Sequence, residues 1–181
     1  MRPPSFLRLC TLSMAACTLQ TGCSIITPMP LWELVKAAGG LASTAVSSAA
    51  PEARNTLYHL RSVPSDVCIE FNPQNQVPDL VPVLQAELQS HGVSSKVYDN
   101  PPAARLCNIW LEYTAYFDWG VTPLTGELRP YMSSAQLALR SKSGELLSSS
   151  QFQLDIHLAK GKWSDTRTKL SPVVAALVTG Y

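Results

Sequence analysis

The sequence predicts an α+β fold: a single mixed sheet with a β-α-β crossover, then a three-stranded antiparallel meander and a C-terminal helix. Three observations favour this class. Apolar and polar side chains alternate at 66–71, 107–119 and 146–157, as they do in half-buried strands. An amphipathic helical pattern follows the first of these segments. A second helical pattern, preceded by capping residues, ends the chain.

The first strand, the first helix and the second strand are predicted to form a parallel crossover. The strand at 66–71 leads through turn residues to a helix that begins near Asp79 and runs to about Ser90, where Gly92 ends it. A short strand follows at 94–99. Strand–helix–strand over this distance is typical of a right-handed parallel unit. The positions expected in the core are Val67, Ile69 and Phe71 on the strand and Leu80, Val83, Leu84 and Leu88 on the helix.

Three antiparallel strands are predicted next, at 107–119, 130–142 and 146–157. A loop at 120–129 joins the first two, and 142–145 is a tight hairpin turn. The positions assigned to the core face are Ile109, Leu111, Tyr113, Ala115, Phe117, Trp119, Tyr131, Ala135, Leu137, Leu139, Phe152, Leu154 and Ile156.

The C-terminal helix is expected to start at 163–165, with Ser164 as the N-cap. Pro172 interrupts the pattern, because proline inside a helix removes a hydrogen bond and costs about 3 kcal/mol. We therefore expect either a kink or a second helix with Ser171 as its N-cap and Pro172 at its first position.

The N-terminus has the features of a cleaved secretory signal. Arg2 and Arg8 precede an uncharged, mostly apolar run at 9–19, and small residues follow. This run is too short to span a bilayer core of about 30 Å permanently. The signal is assigned to 1–22.

The segment 19–24 resembles the lipobox of bacterial lipoproteins, which implies that Cys23 receives lipid and becomes the mature N-terminus. Gln20 stands where leucine is usual in that motif. Cys17, after two alanines, is an alternative lipidation site. A soluble secreted protein with an ordinary thiol at Cys23 is the remaining interpretation.

The resemblance also predicts the location of the protein. Lipoproteins of this type carry more than one acyl chain, and a single chain holds a protein only marginally. Ser24 favours the outer membrane, because aspartate at that position favours retention at the inner membrane. We expect attachment to the outer membrane, at its periplasmic face. Residues 23–54 are interpreted as a spacer, either a membrane-surface helix led by Trp32 or a tether packed loosely on the domain at 55–181.

The region from roughly Val63 to Leu177 resembles a family of small Gram-negative outer-membrane lipoproteins of unassigned function. The family has a Trp-Asp step near the end of its aromatic strand, whereas here Trp119 precedes Gly120 and a longer loop. No catalytic residue is implied by the resemblance. The matching motifs are Val67-Cys68-Ile69 with Asn72-Pro73, the helix ending at Gly92, Tyr113-Thr114-Ala115-x-x-x-Trp119, Tyr131-Met132-Ser133 with Ala135, and Arg167-x-Lys169-x-x-Pro172.

Composition limits the function classes. The chain has 181 residues and a formal net charge of +1. Loss of Arg2 and Arg8 with the signal reduces Lys and Arg from 14 to 12 against 13 acidic residues, a mature charge of −1. A mature chain of this length suffices for one domain with a core. The charge does not predict binding to nucleic acid or to a membrane by electrostatics alone.

Two cysteines remain in the predicted domain, Cys68 and Cys107. In an oxidising periplasm they are disulfide candidates, and two separate buried thiols are the alternative. Strand alternation places Cys68 away from the core face and Cys107 toward it. A bulge or a later strand start would remove this conflict.

The sequence offers little catalytic or metal-binding chemistry. His59, His91 and His157 lie apart from one another, so neither a metal site nor a cofactor is predicted. No nucleophile is paired with a histidine by pattern. Carboxylates on strands, namely Glu70, Glu112 and Asp118, are more typical of solvated or ion-paired positions than of acid–base catalysis. We therefore expect a protein that is not an enzyme.

Aromatic residues gather on two adjoining strands, and Trp110, Tyr116, Trp119 and Tyr131 are candidates for a binding patch. Alternatively, the spacer or the C-terminal helix covers that face. The leading functional expectation is a lipid-anchored periplasmic accessory lipoprotein that interacts with an unidentified envelope protein. The alternative is a module that binds a small ligand or a glycan through the aromatic sheet face.

Overall fold

A computed structural model describes residues 49–75, 77, 79–99, 107–155 and 160–181. Over these residues the protein has an α+β fold, with one mixed six-stranded sheet and two helices, which confirms the predicted class. The strands are β1 (Arg54–Tyr58), β2 (Asp66–Glu70), β3 (Ser94–Tyr98), β4 (Ile109–Val121), β5 (Leu128–Ser141) and β6 (Leu146–Gln153), and the helices are α1 (Leu80–Ser90) and α2 (Thr166–Thr179).

The strands lie in the order β1-β6-β5-β4-β2-β3. Strand β2 pairs in parallel with β3 on one side and with β4 on the other. The pairs β4–β5, β5–β6 and β1–β6 are antiparallel. Helix α1 lies between β2 and β3 in the chain.

Both helices pack on the same face of the sheet, where the hydrophobic core forms. Leu80, Leu84 and Leu88, on the predicted stripe of α1, are all buried. Helix α2 contacts α1 as well as β1, β5 and β6. The Arg167 Nε atom lies 2.6 Å from Glu87 Oε1, which joins the two helices at the edge of their contact. The opposite face of the sheet carries neither helix. Core members from the sheet and α2 are Val67, Ile69, Leu111, Tyr113, Met132, Ala135, Leu137, Leu139, Phe152, Leu170, Val173, Val174, Leu177 and Val178.

Strand β1 was not predicted from the sequence. Most of its residues are exposed, so its alternation of apolar and polar side chains is weak. Tertiary contacts hold it at the edge of β6, where the Ser148 hydroxyl donates to the Leu57 carbonyl at 3.0 Å. The Tyr58 hydroxyl donates to the Val178 carbonyl on α2 at 3.1 Å. These partners lie far away in the chain. The pattern of neighbouring residues therefore gave no sign that a strand would form here.

The loop predicted at 120–129 is shorter in the structure and covers only 122–127. Strands β4 and β5 stay paired out to Val121 and Leu128, so the hairpin extends further than the sequence suggested. The turn is closed by the Thr122 amide, which donates to the Glu127 carbonyl at 2.9 Å. This extension carries Phe117 and Trp119 away from the core, and they are 37% and 66% exposed. Their assignment to the core is therefore corrected.

The strand pairing shifts by one residue near Ser133. Tyr116 is opposite Ser134, but the next pair is Phe117 with Met132. Such a bulge reverses the alternation of the β5 residues that precede Ser133, relative to those that follow it. Met132 is buried in consequence, whereas Tyr131, which was predicted for the core, is only half-buried.

Two further predictions need correction. Phe71 lies beyond the end of β2 and is 38% exposed, so it does not join the core. The N-cap of α2 is Asp165, whose carboxylate accepts from the Thr168 amide at 2.6 Å, and not Ser164. Helix α2 then runs through Pro172 as one element, so no second helix begins there.

Strand β6 ends at Gln153, earlier than expected. The predicted continuation through Ile156 to His157 lies outside the described residues. Among the helices in the described part of the chain, none has the length and apolar character that a membrane span requires.

Candidate functional site

The lipidation candidates Cys23 and Cys17 lie outside the described residues. Cys68 and Cys107 are joined by a disulfide with a sequence separation of 39. Strand β4 begins at Ile109, so Cys107 precedes the strand and is free of its alternation. Because of this later start, Cys107 need not point toward the core, and it can bond to Cys68 on the other face of the sheet.

The structure does not bring the four candidate patch residues together. Trp110 and Tyr116 share the helix-free face, but six residues of strand separate them by about 20 Å. Trp119 lies on the other face of the projecting hairpin. Tyr131 packs edge-on against Trp163, with ring centroids 5.4 Å apart. Helix α2 does not cover the Trp110 face, because it packs on the opposite one.

A groove surrounds Trp110 on the helix-free face, and we call it the Trp110 groove. Its volume is about 400 Å³. It lies where β2, β3, β4 and β5 meet near the turn between β5 and β6. Its lining residues are Glu70, Phe71, Pro73, Tyr98, Asp99, Trp110, Glu112, Arg140, Ser141, Lys142 and Gly144.

Trp110, the central aromatic residue of the groove, has neighbours on two adjacent strands. The Tyr98 ring, on β3, lies edge-on to Trp110 with a centroid distance of 6.1 Å and an interplanar angle of 61°. Cys68 is the cross-strand partner of Trp110, so the cystine occupies the same face directly beside the indole. The edge-to-face contact with Tyr98 fixes the orientation that the two rings present to the groove.

The charged part of the groove is an ion pair. The Arg140 Nε atom donates to Glu112 Oε2 at 2.7 Å, across the β4–β5 ladder. The guanidinium also donates through Nη1 to the Gly144 carbonyl at 3.2 Å, which ties the pair to the following turn. The pair is half-exposed and contributes only about 0–1 kcal/mol to stability. Its two charged groups remain available at the groove surface.

Of the three strand carboxylates noted in the sequence, Glu70 and Glu112 line the same groove. Asp118 lies at the far end of β4, in a different surface depression with Tyr131 and Asp155. The groove therefore combines an aromatic ring with carboxylates and a guanidinium. Such a set can stack on the apolar face of a ligand and hydrogen-bond its polar edge.

Sequence reasoning missed Lys169, which is 1% exposed. Its Nζ donates to the Met132 carbonyl at 3.0 Å and to the Lys162 carbonyl at 2.9 Å. Burial lowers the pKa of Lys169 to about 8, and the nearby Asp165 carboxylate partly opposes this shift. The sequence could have predicted this burial. Lys169 and Val173 are four residues apart and therefore share the inward face of α2.

A second cavity of about 480 Å³ lies beside Lys169, between the hairpin base and the starts of both helices. Lys162 Nζ lies over the Tyr131 ring at 4.4 Å from its centroid. Gly120 permits this approach, because a Cβ there would lie 2.9 Å from Lys162 Nζ and 3.0 Å from the Tyr131 ring. Gly120 thus makes room for the packing of the segment 160–164.

No group of three or more potential metal-ligating side chains occurs within the portion of the chain that the structure describes. His59 and His91 lie on separate surface segments, and His157 falls outside that portion.

No protein-family model matches the chain, and no curated protein matches it either. Among solved structures, the chain is similar to a variant PelC dodecamer from Paraburkholderia phytofirmans, with a TM-score of 0.48 and 12% identity over 70% of this chain and 96% of that one. A second PelC dodecamer from the same organism gives a TM-score of 0.41 and 15% identity over 67% and 96%. Because both TM-scores are below 0.5, nothing about the function of this chain follows from them.

Proposed function

We propose that this chain is a lipid-anchored lipoprotein at the periplasmic face of the bacterial outer membrane, and that its domain is a non-enzymatic accessory module that binds another envelope component. The single observation that carries the binding role is the Trp110 groove on the sheet face that both helices leave open. The tether is supported by the lipobox-like segment ending at Cys23 and Ser24.

The groove has the features of a recognition surface. Tryptophan and arginine are the residues most often found where interfaces gain their binding energy. Here Trp110 and Arg140 are neighbours across the β4–β5 ladder. The Tyr98 ring orients Trp110 and the ion pair with Glu112 orients Arg140 before binding, which reduces the entropy lost when a partner docks. We propose binding and not catalysis also because the sequence has no pattern that pairs a nucleophile with a base.

A site-specific photocrosslinker tests the partner directly. It is placed at Glu70, on the groove, and, as a matched control, at Gln89, which is exposed on α1. In intact cells we expect a discrete crosslinked product from position 70 and none from position 89. Equal crosslinking from both positions, or none from either, would contradict the assignment of the groove.

The anchor is tested by the mass of the mature N-terminal peptide from a membrane fraction. Acyl chains on Cys23 support the proposal. An unmodified peptide in a soluble fraction overturns it, and acylation at Cys17 moves the anchor to the alternative cysteine.

A second function is supported by the size and chemistry of the same groove. About 400 Å³ beside an indole and a carboxylate–guanidinium pair suits a sugar ring or another small polar ring. The probes are muropeptides and lipopolysaccharide core oligosaccharides, and the readout is tryptophan emission. We expect a change that disappears in Trp110→Ala and persists in Trp163→Phe, which lies outside the groove. If the emission is unchanged with every probe, the glycan function is contradicted and only the proposal of a protein partner remains.

A further inference from the structure

Exposed apolar side chains of the described residues are concentrated at the end of the β4–β5 hairpin. Trp119, Val121, Leu124 and Leu128 are 66%, 61%, 75% and 64% exposed. Monomeric soluble proteins rarely leave large apolar side chains contiguous on their surface, and such groups mark contact with a protein or a membrane. This cluster therefore indicates a contact surface that the Trp110 groove does not include.

These side chains share one face of the hairpin. Trp119 and Val121 are two apart on β4, and Leu128 is the cross-strand partner of Val121. Pro130 is opposite Trp119 and adds to the same face. Leu124 lies in the turn beyond them. We call Trp119, Val121, Leu124, Leu128 and Pro130 the hairpin wedge.

The types of side chain in the wedge change along the hairpin in the order that suits a bilayer surface. Aliphatic groups occupy the tip, and Trp119 lies nearer the domain. Tryptophan prefers the headgroup level, and aliphatic side chains prefer the acyl region beneath it. The turn satisfies part of its own backbone, since the Thr122 amide donates to the Glu127 carbonyl and the Gly126 amide to the Thr122 carbonyl. The turn also carries the carboxylate of Glu127, which is costly to remove from water.

The described part of the chain begins beside the base of this hairpin. The Ser164 hydroxyl donates to the Ala49 carbonyl at 3.0 Å, at the start of the described chain. Nearby, the Lys160 ammonium lies 3.0 Å from a Glu52 oxygen. The same segment, through Lys162 and Trp163, packs on Tyr131 of β5. Ala49, the first described residue, thus lies at the end of the domain that carries the wedge.

The distance along the tether favours a lipid surface over a second copy of the chain. About 25 residues separate Cys23 from Ala49, so this part of the chain can span at most about 90 Å even when fully extended. A domain held this close to the bilayer meets lipid at a far higher effective concentration than it meets another copy. Lys162 and Arg129 lie near the hairpin base, and cationic side chains at such a position are attracted to anionic headgroups.

We propose that the hairpin wedge inserts into the leaflet that holds the lipid anchor, so that the domain is oriented on the membrane with the Trp110 groove facing the periplasm. This inference rests on the proposed anchoring at Cys23. Two attachments, the acyl chains and the wedge, would fix the orientation that the acyl chains alone leave free.

The test uses the lipidated full-length protein in vesicles of phosphatidylethanolamine and phosphatidylglycerol that carry brominated acyl chains. The signal of Trp119 is obtained as the difference between the wild type and Trp119→Phe. We expect the Trp119 emission to shift to shorter wavelength and to be quenched at least twofold by bromine. Trp110, isolated in the same way with Trp110→Phe, is the matched control and should be unquenched.

A double variant, Val121→Asp with Leu128→Asp, should abolish the quenching of Trp119 without unfolding the domain, because both side chains are exposed. If Trp119 is unquenched while Cys23 is acylated, the proposed insertion of the wedge is contradicted and the proposed lipid anchor is retained. An unacylated Cys23 overturns the anchor and the wedge together. A blue shift of Trp119 that appears without vesicles and grows with protein concentration overturns the wedge in favour of a second copy.

Discussion

The buried ammonium of Lys169 on α2 donates to the main-chain carbonyl of Met132 on β5, at 3.0 Å. Met132 lies next to the bulge that changes the alternation of β5, and Lys169 also donates to the Lys162 carbonyl. One side chain therefore holds the helix, the bulged strand and the segment 160–164 together. A buried charge needs such hydrogen bonds, because an unsatisfied ammonium is costly to bury.

Lys169→Met tests this role through the pH dependence of stability. The pKa of Lys169 is about 8 in the fold and is near its ordinary value in the unfolded chain. Between pH about 8 and about 10.4 the unfolded chain therefore binds more protons than the native state. The free energy of unfolding of the wild type should rise with pH in that window, relative to the variant. Denaturant unfolding from pH 7 to 10 measures it, with Lys162→Met as the control, and parallel profiles would contradict the assignment.

Removing the disulfide should destabilise the domain by about 4 kcal/mol. The bond closes a loop with a sequence separation of 39, and in the chain-entropy model a loop of this length contributes about that much. The measurement is urea unfolding with and without a reductant. The double variant Cys68→Ser with Cys107→Ser serves as the control, since reductant should then have no effect. Equal stability in the two redox states of the wild type would refute the prediction.

Asp165→Ala should cost about 0.5–2 kcal/mol, because it removes the carboxylate that caps α2 by accepting from the Thr168 amide. That hydrogen bond lowers the pKa of Asp165 below its ordinary value. The stabilisation is thus present above the unfolded pKa of about 3.9 and is lost as pH falls through the lower folded pKa. Thermal unfolding from pH 2 to 7 compares the wild type with Asp165→Asn, which can still cap. A loss in Asp165→Asn as large as in Asp165→Ala would exclude a capping role.

The ion pair of the Trp110 groove should contribute little to stability. A double-mutant cycle with Glu112→Gln and Arg140→Met is expected to give a coupling energy of less than about 1 kcal/mol, because both side chains are partly exposed. The same variants should weaken binding by any groove ligand far more than they weaken the fold. A coupling of several kcal/mol would mean that the pair is structural.

The sequence by itself determined the local elements. The spacing of Leu80, Leu84 and Leu88 placed α1, and the alternation from Ile109 onward placed most of β4. These patterns are readable because neighbouring residues report one face of a helix or a strand. The sequence also nominated the cysteine pair and the aromatic strand that carries Trp110.

Only the tertiary structure decided how these elements meet. It added β1 at the edge of β6, extended the hairpin beyond the helices, and inserted the bulge that buried Met132 in place of Tyr131. It also separated Trp110 from Tyr116 and joined Trp110 to Tyr98 and Arg140 in one groove. The physical reason is that strand order, register and bulges depend on partners far away in the chain, whereas periodicity reports only the residues beside one another.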